Sequence, residues 1–140
     1  MTVISKTARP AHRAAGVVLE AAQADRLEAL AEGALRRTPE LAQRLLDEIA
    51  RARIVPEAKL PRDVVALGKE VTYRDESTGR EQTVTLVLPQ DADIARGRAS
   101  VLTPIGVALI GLREGARFPW HTRDGQTRQL TVIRVAPAAA

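Results

Sequence analysis

The 140-residue sequence predicts an α+β fold: a short N-terminal antiparallel helical hairpin, followed by an antiparallel sheet wrapped on one short helix. Two observations predict it. Between residues 20 and 53, apolar residues recur at every third or fourth position, which is the spacing of amphipathic helices. After the segment 54–61, which holds two prolines, apolar residues alternate with polar ones as in half-buried strands.

The N-terminal pattern predicts two helices of about 12–15 residues each, hence about 20 Å long. Gly33 marks the expected end of the first. Thr38 and Pro39 are expected to begin the second, because threonine can cap a helix and proline suits its first position. The short connection between them predicts an antiparallel hairpin. The expected apolar faces are Ala24, Leu27, Leu30, Ala31 and Ala34 on the first helix, and Leu41, Leu45, Ile49 and Ala52 on the second.

The C-terminal part is expected to hold four strands, with polar loops at 75–80 and 90–98. Asp124-Gly125 is typical of a hairpin turn. The strand patterns lie at residues 71–74, 83–88, 118–121 and 130–135.

One apolar stretch, residues 101–116, predicts a short helix among these strands. Thr103 can cap it, Pro104 suits its first position, and Gly111 ends it. We expect burial of its apolar side chains to contribute about 1.5–3 kcal/mol each. The expected buried face comprises Ile105, Ala108, Leu109 and Leu112.

Composition excludes several classes of site and partner. The chain has no cysteine, so it forms no disulfide and no thiolate metal site. The net charge of +4 is spread evenly, with nine Lys/Arg against seven Asp/Glu in residues 1–53. Since nucleic-acid binding needs clustered cations, direct sequence-specific nucleic-acid binding is not expected. No apolar run approaches the roughly 20 residues that span a bilayer, so we expect no membrane contact and a cytoplasmic location.

These patterns predict four parts of the chain. A disordered basic tail is expected at 1–15 and a helical hairpin at 16–55. The sheet domain is expected at 56–136, with a short tail at 137–140.

The segment ASVLTPIGVALIGLREGARF resembles the C-terminal domain of the bacterial Gre transcript-cleavage factors. That family has a Ser-Pro-Ile/Leu-x-x-Ala-Leu-Ile/Leu-Gly segment, matched here from Thr103 to Gly111. The stretches LPRDVVALGKEVTYRD and QADRLEALA, with the hairpin around Trp120, are similar to the Rnk family of regulators of nucleoside diphosphate kinase. The resemblance covers roughly residues 17–135 and implies an FKBP-like C-terminal domain.

The resemblance implies RNA polymerase as the partner, because Gre C-terminal domains dock on the rim of its secondary channel. Gre factors carry an acid where this chain has Leu102, so a more apolar interface is expected. The expected function is a non-catalytic transcription regulator that competes with Gre-type factors at that rim, with nucleoside diphosphate kinase affected indirectly. The residues that match the docking loop are Leu102, Thr103, Pro104, Ile105 and Gly106.

Gre factors stimulate transcript cleavage with two acids at the hairpin tip that hold Mg²⁺. Here the tip carries Arg36 and Arg37 and lacks the acidic pair, so we expect no metal, no cofactor and no catalysis. Two alternatives remain open. One is a Gre-type transcript-cleavage elongation factor. The other is an FKBP-like peptidyl-prolyl isomerase, whose apolar pocket the chain's three aromatic residues would line sparsely.

Overall fold

The computed structural model describes residues 16–121 and 124–137, so the expected tail at 1–15 and residues 138–140 lie outside it. It contains three α-helices: α1 (Ala21–Ala34), α2 (Pro39–Arg51) and α3 (Pro104–Leu109). The strands are β1 (Val18–Glu20), β2 (Arg53–Val55), β3 (Lys69–Asp75), β4 (Arg80–Val87), β5 (Arg98–Ser100), β6 (Arg117–His121) and β7 (Thr127–Pro137). The α+β class is confirmed, and α1 and α2 form the expected hairpin.

Five strands form the main sheet in the order β5-β4-β3-β7-β6. All neighbours are antiparallel except β4 and β5, which run parallel. The register between β3 and β7 shifts between Thr72 and Tyr73, which is a local irregularity of the kind that bends a strand.

The hairpin root is a two-stranded parallel sheet that the sequence patterns missed, because each strand has only three residues. β1 pairs with β2, with Leu19 opposite Ile54. The Val18 amide donates to the Gly111 carbonyl (2.9 Å), and the Arg53 amide donates to the Val17 carbonyl (2.8 Å). The first bond joins the root of the hairpin to the chain just after α3, and the second lies within the root.

The hairpin and the sheet share one apolar core. Leu27 and Leu45 from the hairpin are fully buried in the same cluster as Leu86 and Leu130 from the sheet. A hydrogen bond also joins the hairpin to the sheet domain: the Leu67 amide donates to Oε1 of Gln23 (3.1 Å). The expected faces of α1 and α2 therefore pack inward, and the hairpin is stabilised by tertiary packing, as a helix pair this short requires.

Three local expectations need correction. Gly33 does not end α1, which continues to Ala34, and Gly33 has no positive φ. Thr38 precedes α2 as expected, but its hydroxyl makes no capping hydrogen bond. The expected loop at 90–98 is more ordered than its polar composition indicated: it contains two 3-10 turns, Pro89–Asp91 and Ile94–Arg96, and leads into β5 at Arg98.

Candidate docking surface

The expected docking segment is a turn fixed by side-chain hydrogen bonds. The hydroxyl of Thr103 accepts from the Gly106 amide (3.1 Å) and donates to the Ser100 carbonyl (2.8 Å). The hydroxyl of Ser100 in turn accepts from the Leu102 amide (3.0 Å). Thr103 therefore caps α3 as the sequence predicted, and Pro104 occupies the first helical position. The turn is held in one conformation before any partner binds.

Gly106 has a packing role within this turn. A Cβ atom there would lie 2.5 Å from the Val101 carbonyl oxygen and 2.7 Å from that of Ser100. Both are backbone atoms, which cannot move aside as a side-chain end can. Gly106 is buried, so it permits the close approach of α3 to the preceding chain and presents no side chain to a partner.

The buried face of α3 differs from the expected one. Val107, Leu109 and Ile110 are buried, whereas Ile105 and Ala108 are only half-buried. Ile105 packs against the core as expected, but it is only partly buried. The close contact of Gly106 with residues 100–101 sets the rotation of the helix, and this rotation turns Ile105 toward the surface.

The surface of the segment is consequently apolar. Pro104 is exposed, and Leu102 and Ile105 are half-exposed. The hydroxyl of Thr103 is used within the turn and does not add a free polar group. Three of the five expected site residues thus offer an apolar contact surface, while Thr103 and Gly106 hold it in shape.

A groove joins this segment to the hairpin. It has a volume of about 440 Å³ and is lined by Leu30 and Ala34 of α1, by Arg37, and by Pro89 and Leu102. Sequence patterns gave no sign of it, because its walls are 50 or more residues apart along the chain. The structure thus brings two expected site residues, Leu102 and Arg37, to one groove.

The hairpin tip is exposed throughout residues 35–40, including Arg36 and Arg37. The acid in the first turn of α2 is Glu40. Within residues 16–121 and 124–137, no three His, Cys, Asp or Glu side chains are grouped closely enough to hold a metal ion. The helices of that same part of the chain are also too short or too polar to span a membrane.

Two family models match adjacent parts of the chain. A model of the transcription elongation factor GreA/GreB C-terminal region matches residues 60–137, which is more than half of the chain. The chain belongs to the GreA/GreB C-terminal family. A model of the Rnk N-terminus matches residues 17–55, so this member of the family carries an Rnk-type hairpin.

Individual relatives agree with this assignment. The regulator of nucleoside diphosphate kinase of Escherichia coli (strain K12) is 29% identical over 119 residues, covering 85% of this chain and 88% of that protein. The elongation factor GreA of Chloroflexus aggregans is 35% identical over 112 residues, which are 80% of this chain and 66% of that factor. A solved structure of a prokaryotic transcription elongation factor GreA/GreB from Nitrosomonas europaea superposes with a TM-score of 0.69 at 31% identity, covering 86% of this chain and 98% of that chain.

These relatives are named as regulators or elongation factors, and their names indicate no enzyme family. The chain combines an Rnk-type hairpin with a GreA/GreB C-terminal domain, and it is a regulator of the Rnk type in the Gre-like family.

Proposed function

We propose that this chain is a non-catalytic transcription regulator that binds RNA polymerase at the rim of the secondary channel and competes there with Gre-type factors. Its contact surface is the segment Leu102–Gly106, and it acts in the cytoplasm, where the polymerase is. An effect on nucleoside diphosphate kinase then follows from changed transcription and needs no direct contact. The names of the GreA/GreB relatives support a role in transcription elongation.

One observation carries the proposal: an apolar surface presented on a preformed turn. Leu102, Pro104 and Ile105 are accessible, and the Thr103 hydroxyl fixes the backbone beneath them. A surface that is already ordered loses little conformational entropy on binding, which favours affinity from a small contact area. Few residues then carry most of the binding energy, as is usual at interfaces.

The test is a pull-down of core RNA polymerase by the wild-type chain and two variants. Ile105→Asp places a charge on the proposed contact and is expected to weaken binding by about 2 kcal/mol or more, hence about 30-fold. Ile54→Asp is the control, since it makes the same change at an isoleucine that is accessible (47%) but lies outside the segment. Absence of polymerase binding by the wild type, or equal losses in both variants, would contradict the proposal.

Competition is tested separately by adding the chain to a complex of the polymerase with a Gre factor. The wild type is expected to displace the factor, and Ile105→Asp is expected to fail. In backtracked complexes of the polymerase with this chain and without a Gre factor, transcripts are expected to stay at full length with Mg²⁺ present, because Arg36 and Arg37 stand where a cleavage factor needs metal-holding acids. Shortened transcripts would instead identify the chain as a cleavage factor.

A further inference from the structure

A second concavity lies at the other end of the main sheet. It has a volume of about 340 Å³, which is within the range of small-ligand sites. The amide of Val101, which is next to the docking segment, donates to the Val87 carbonyl at one end of β4. The pocket is lined by Arg80, at the other end of β4. Seven residues of strand separate these positions, about 23 Å at 3.3 Å per residue. The pocket is therefore a separate site and does not depend on polymerase docking.

The hydrogen-bond acceptors of this pocket are already occupied. The carboxylate of Asp75 accepts from the Ser77 hydroxyl (2.6 Å), the Ser77 amide (2.9 Å) and Nη1 of Arg128 (2.7 Å). The hydrogen bond from the Ser77 side chain, followed by that from Arg128, lowers the pKa of Asp75 to about 2, so this carboxylate remains charged and paired. Oε1 of Gln82 accepts from the hydroxyl of Tyr73 (3.0 Å).

The groups that remain unused are donors. The indole N–H of Trp120 is shielded from solvent and has no hydrogen-bond partner among the residues the structure describes. The guanidinium of Arg80, on the pocket rim, forms no ion pair with any of those residues. The pocket lining contains two cations, Arg80 and Arg128, and one anion, Asp75, so its formal net charge is +1. An unpaired shielded N–H is costly, so a ligand acceptor that reached it would be stabilised.

We propose that this pocket binds a small organic anion with an aromatic or apolar body, an aryl phosphate or an aryl carboxylate. Its anionic oxygens lie between Arg80 and Arg128, where the net positive charge and the free guanidinium donors are. Its apolar body packs on Tyr73 and Leu130, both of which are buried in the floor. The half-exposed ring of Trp120 turns its N–H toward an oxygen of the ligand.

Trp120 is the only tryptophan of the chain, so its fluorescence reports directly on this pocket. Titration with phenyl phosphate or benzoate at constant ionic strength is expected to give a saturable change, and the two probes distinguish a phosphate from a carboxylate ligand. Inorganic phosphate is expected to bind at least tenfold more weakly than phenyl phosphate, because it lacks the apolar body. Equal binding of the two phosphates, or no saturable change with either aryl probe, would overturn the proposal.

Variants locate the site. Arg80→Ala is expected to weaken binding of the better aryl probe at least tenfold, whereas Arg26→Ala, at an exposed arginine of α1, leaves it unchanged. Trp120→Phe, followed by calorimetry with circular dichroism as the check of folding, tests the indole N–H and is expected to weaken binding several-fold. Equal effects of Arg80→Ala and Arg26→Ala would show non-specific anion binding and contradict the site. Ile105→Asp retains probe binding, which separates this result from the polymerase experiment.

Discussion

Two helices of this chain begin with the same dipeptide, and the two threonines act differently. Thr103-Pro104 begins α3, and the Thr103 hydroxyl accepts from the Gly106 amide at 3.1 Å. Thr38-Pro39 begins α2, and its hydroxyl caps nothing; it donates instead to the Ala34 carbonyl at 3.4 Å. Identical local sequence therefore gives a closed turn in the docking segment and an uncapped helix at the hairpin tip.

The residues that precede each threonine explain the difference. β5 leads into Thr103 with an extended backbone (ψ 162°), which is the conformation of a capping residue. Thr38 lies in the tight turn after α1, four residues beyond Ala34, and its amide donates to the Ala34 carbonyl (2.9 Å), which holds its ψ at 68°. In this conformation the side chain does not reach the amides of α2. Side-chain bonds to backbone amides thus fix the docking segment, while the tip is closed by backbone bonds to Ala34 and a long bond from the Thr38 hydroxyl to the same carbonyl.

The largest expected effect tests how tightly the Thr103 turn is packed. Gly106→Ala places a Cβ atom 2.5–2.7 Å from three backbone atoms of residues 100–101, so we expect a loss of roughly 3 kcal/mol or more in the free energy of unfolding. Gly33→Ala, near the Thr38 turn, meets nothing within 4 Å and should be neutral or stabilise by about 0.5–1 kcal/mol. Urea unfolding measures both, and similar values would contradict the packing argument.

The next effect concerns how α3 ends. Gly111 has φ +83°, and an added Cβ would lie 2.4 Å from Cγ1 of Val17. We expect Gly111→Ala to destabilise by about 2–3 kcal/mol, from the left-handed backbone and from overpacking of the hairpin root. Gly79→Ala has a similar φ (+78°) but open space around it, so it should lose only about 1–2 kcal/mol. Thermal unfolding measures the stability loss of both variants, and the difference between them is the cost of overpacking the hairpin root. Equal losses would disprove this cost.

A smaller effect separates the two threonines directly. Thr103→Ala removes a capping hydrogen bond and should cost about 1 kcal/mol, together with reduced polymerase binding because the docking turn loosens. Thr38→Ala removes only a 3.4 Å bond at an exposed position and should change stability by less than about 0.5 kcal/mol. Chemical denaturation gives the comparison, and an equal cost at both sites would show that Thr38 caps α2 in solution.

The smallest expected effect on stability concerns the β3–β4 turn. A carboxylate closes this turn, whereas a hydroxyl closes the turn at Thr103. Asp75 closes the β3–β4 turn, and its pKa is lowered from an ordinary 3.8 to about 2, first by the Ser77 hydroxyl and then by Arg128. The unfolded chain binds more protons in this window, so the stabilisation is present above about pH 4 and is lost as pH falls toward 2. Asp75→Asn should reduce the pH dependence of unfolding between pH 4 and 2.

Glu76 retains part of that dependence in the variant, since its pKa is also lowered, mainly by the hydrogen bond from Thr131. Asp91→Asn, at an exposed aspartate in a 3-10 turn, serves as the control and should keep the wild-type profile. Urea unfolding at a series of pH values measures all three proteins. An unchanged slope in Asp75→Asn would show that its carboxylate bonds do not form in solution.

The sequence by itself determined the features that depend on neighbouring residues. The 3.6-residue period gave α1 and α2, the two-residue period gave the four longer strands, and Thr103-Pro104 with Gly111 gave both ends of α3. The Thr-Pro-Ile-Gly segment and the lack of tip acids indicated the family and the segment proposed to bind polymerase. These signals are local, so periodicity and capping chemistry are enough to detect them.

Tertiary structure alone decided the features that depend on residues far apart in the chain. The three-residue strands β1 and β2 form because the hairpin brings residues 18–20 beside 53–55. The outward rotation of Ile105 follows from the contact of Gly106 with the backbone before it, and the groove forms where Leu30 of α1 faces Leu102. That the indole N–H of Trp120 has no partner among the described residues is likewise visible only once four strands line its pocket. The period of the apolar residues indicates which residues are buried, whereas close packing of the folded chain decides which of them contact one another.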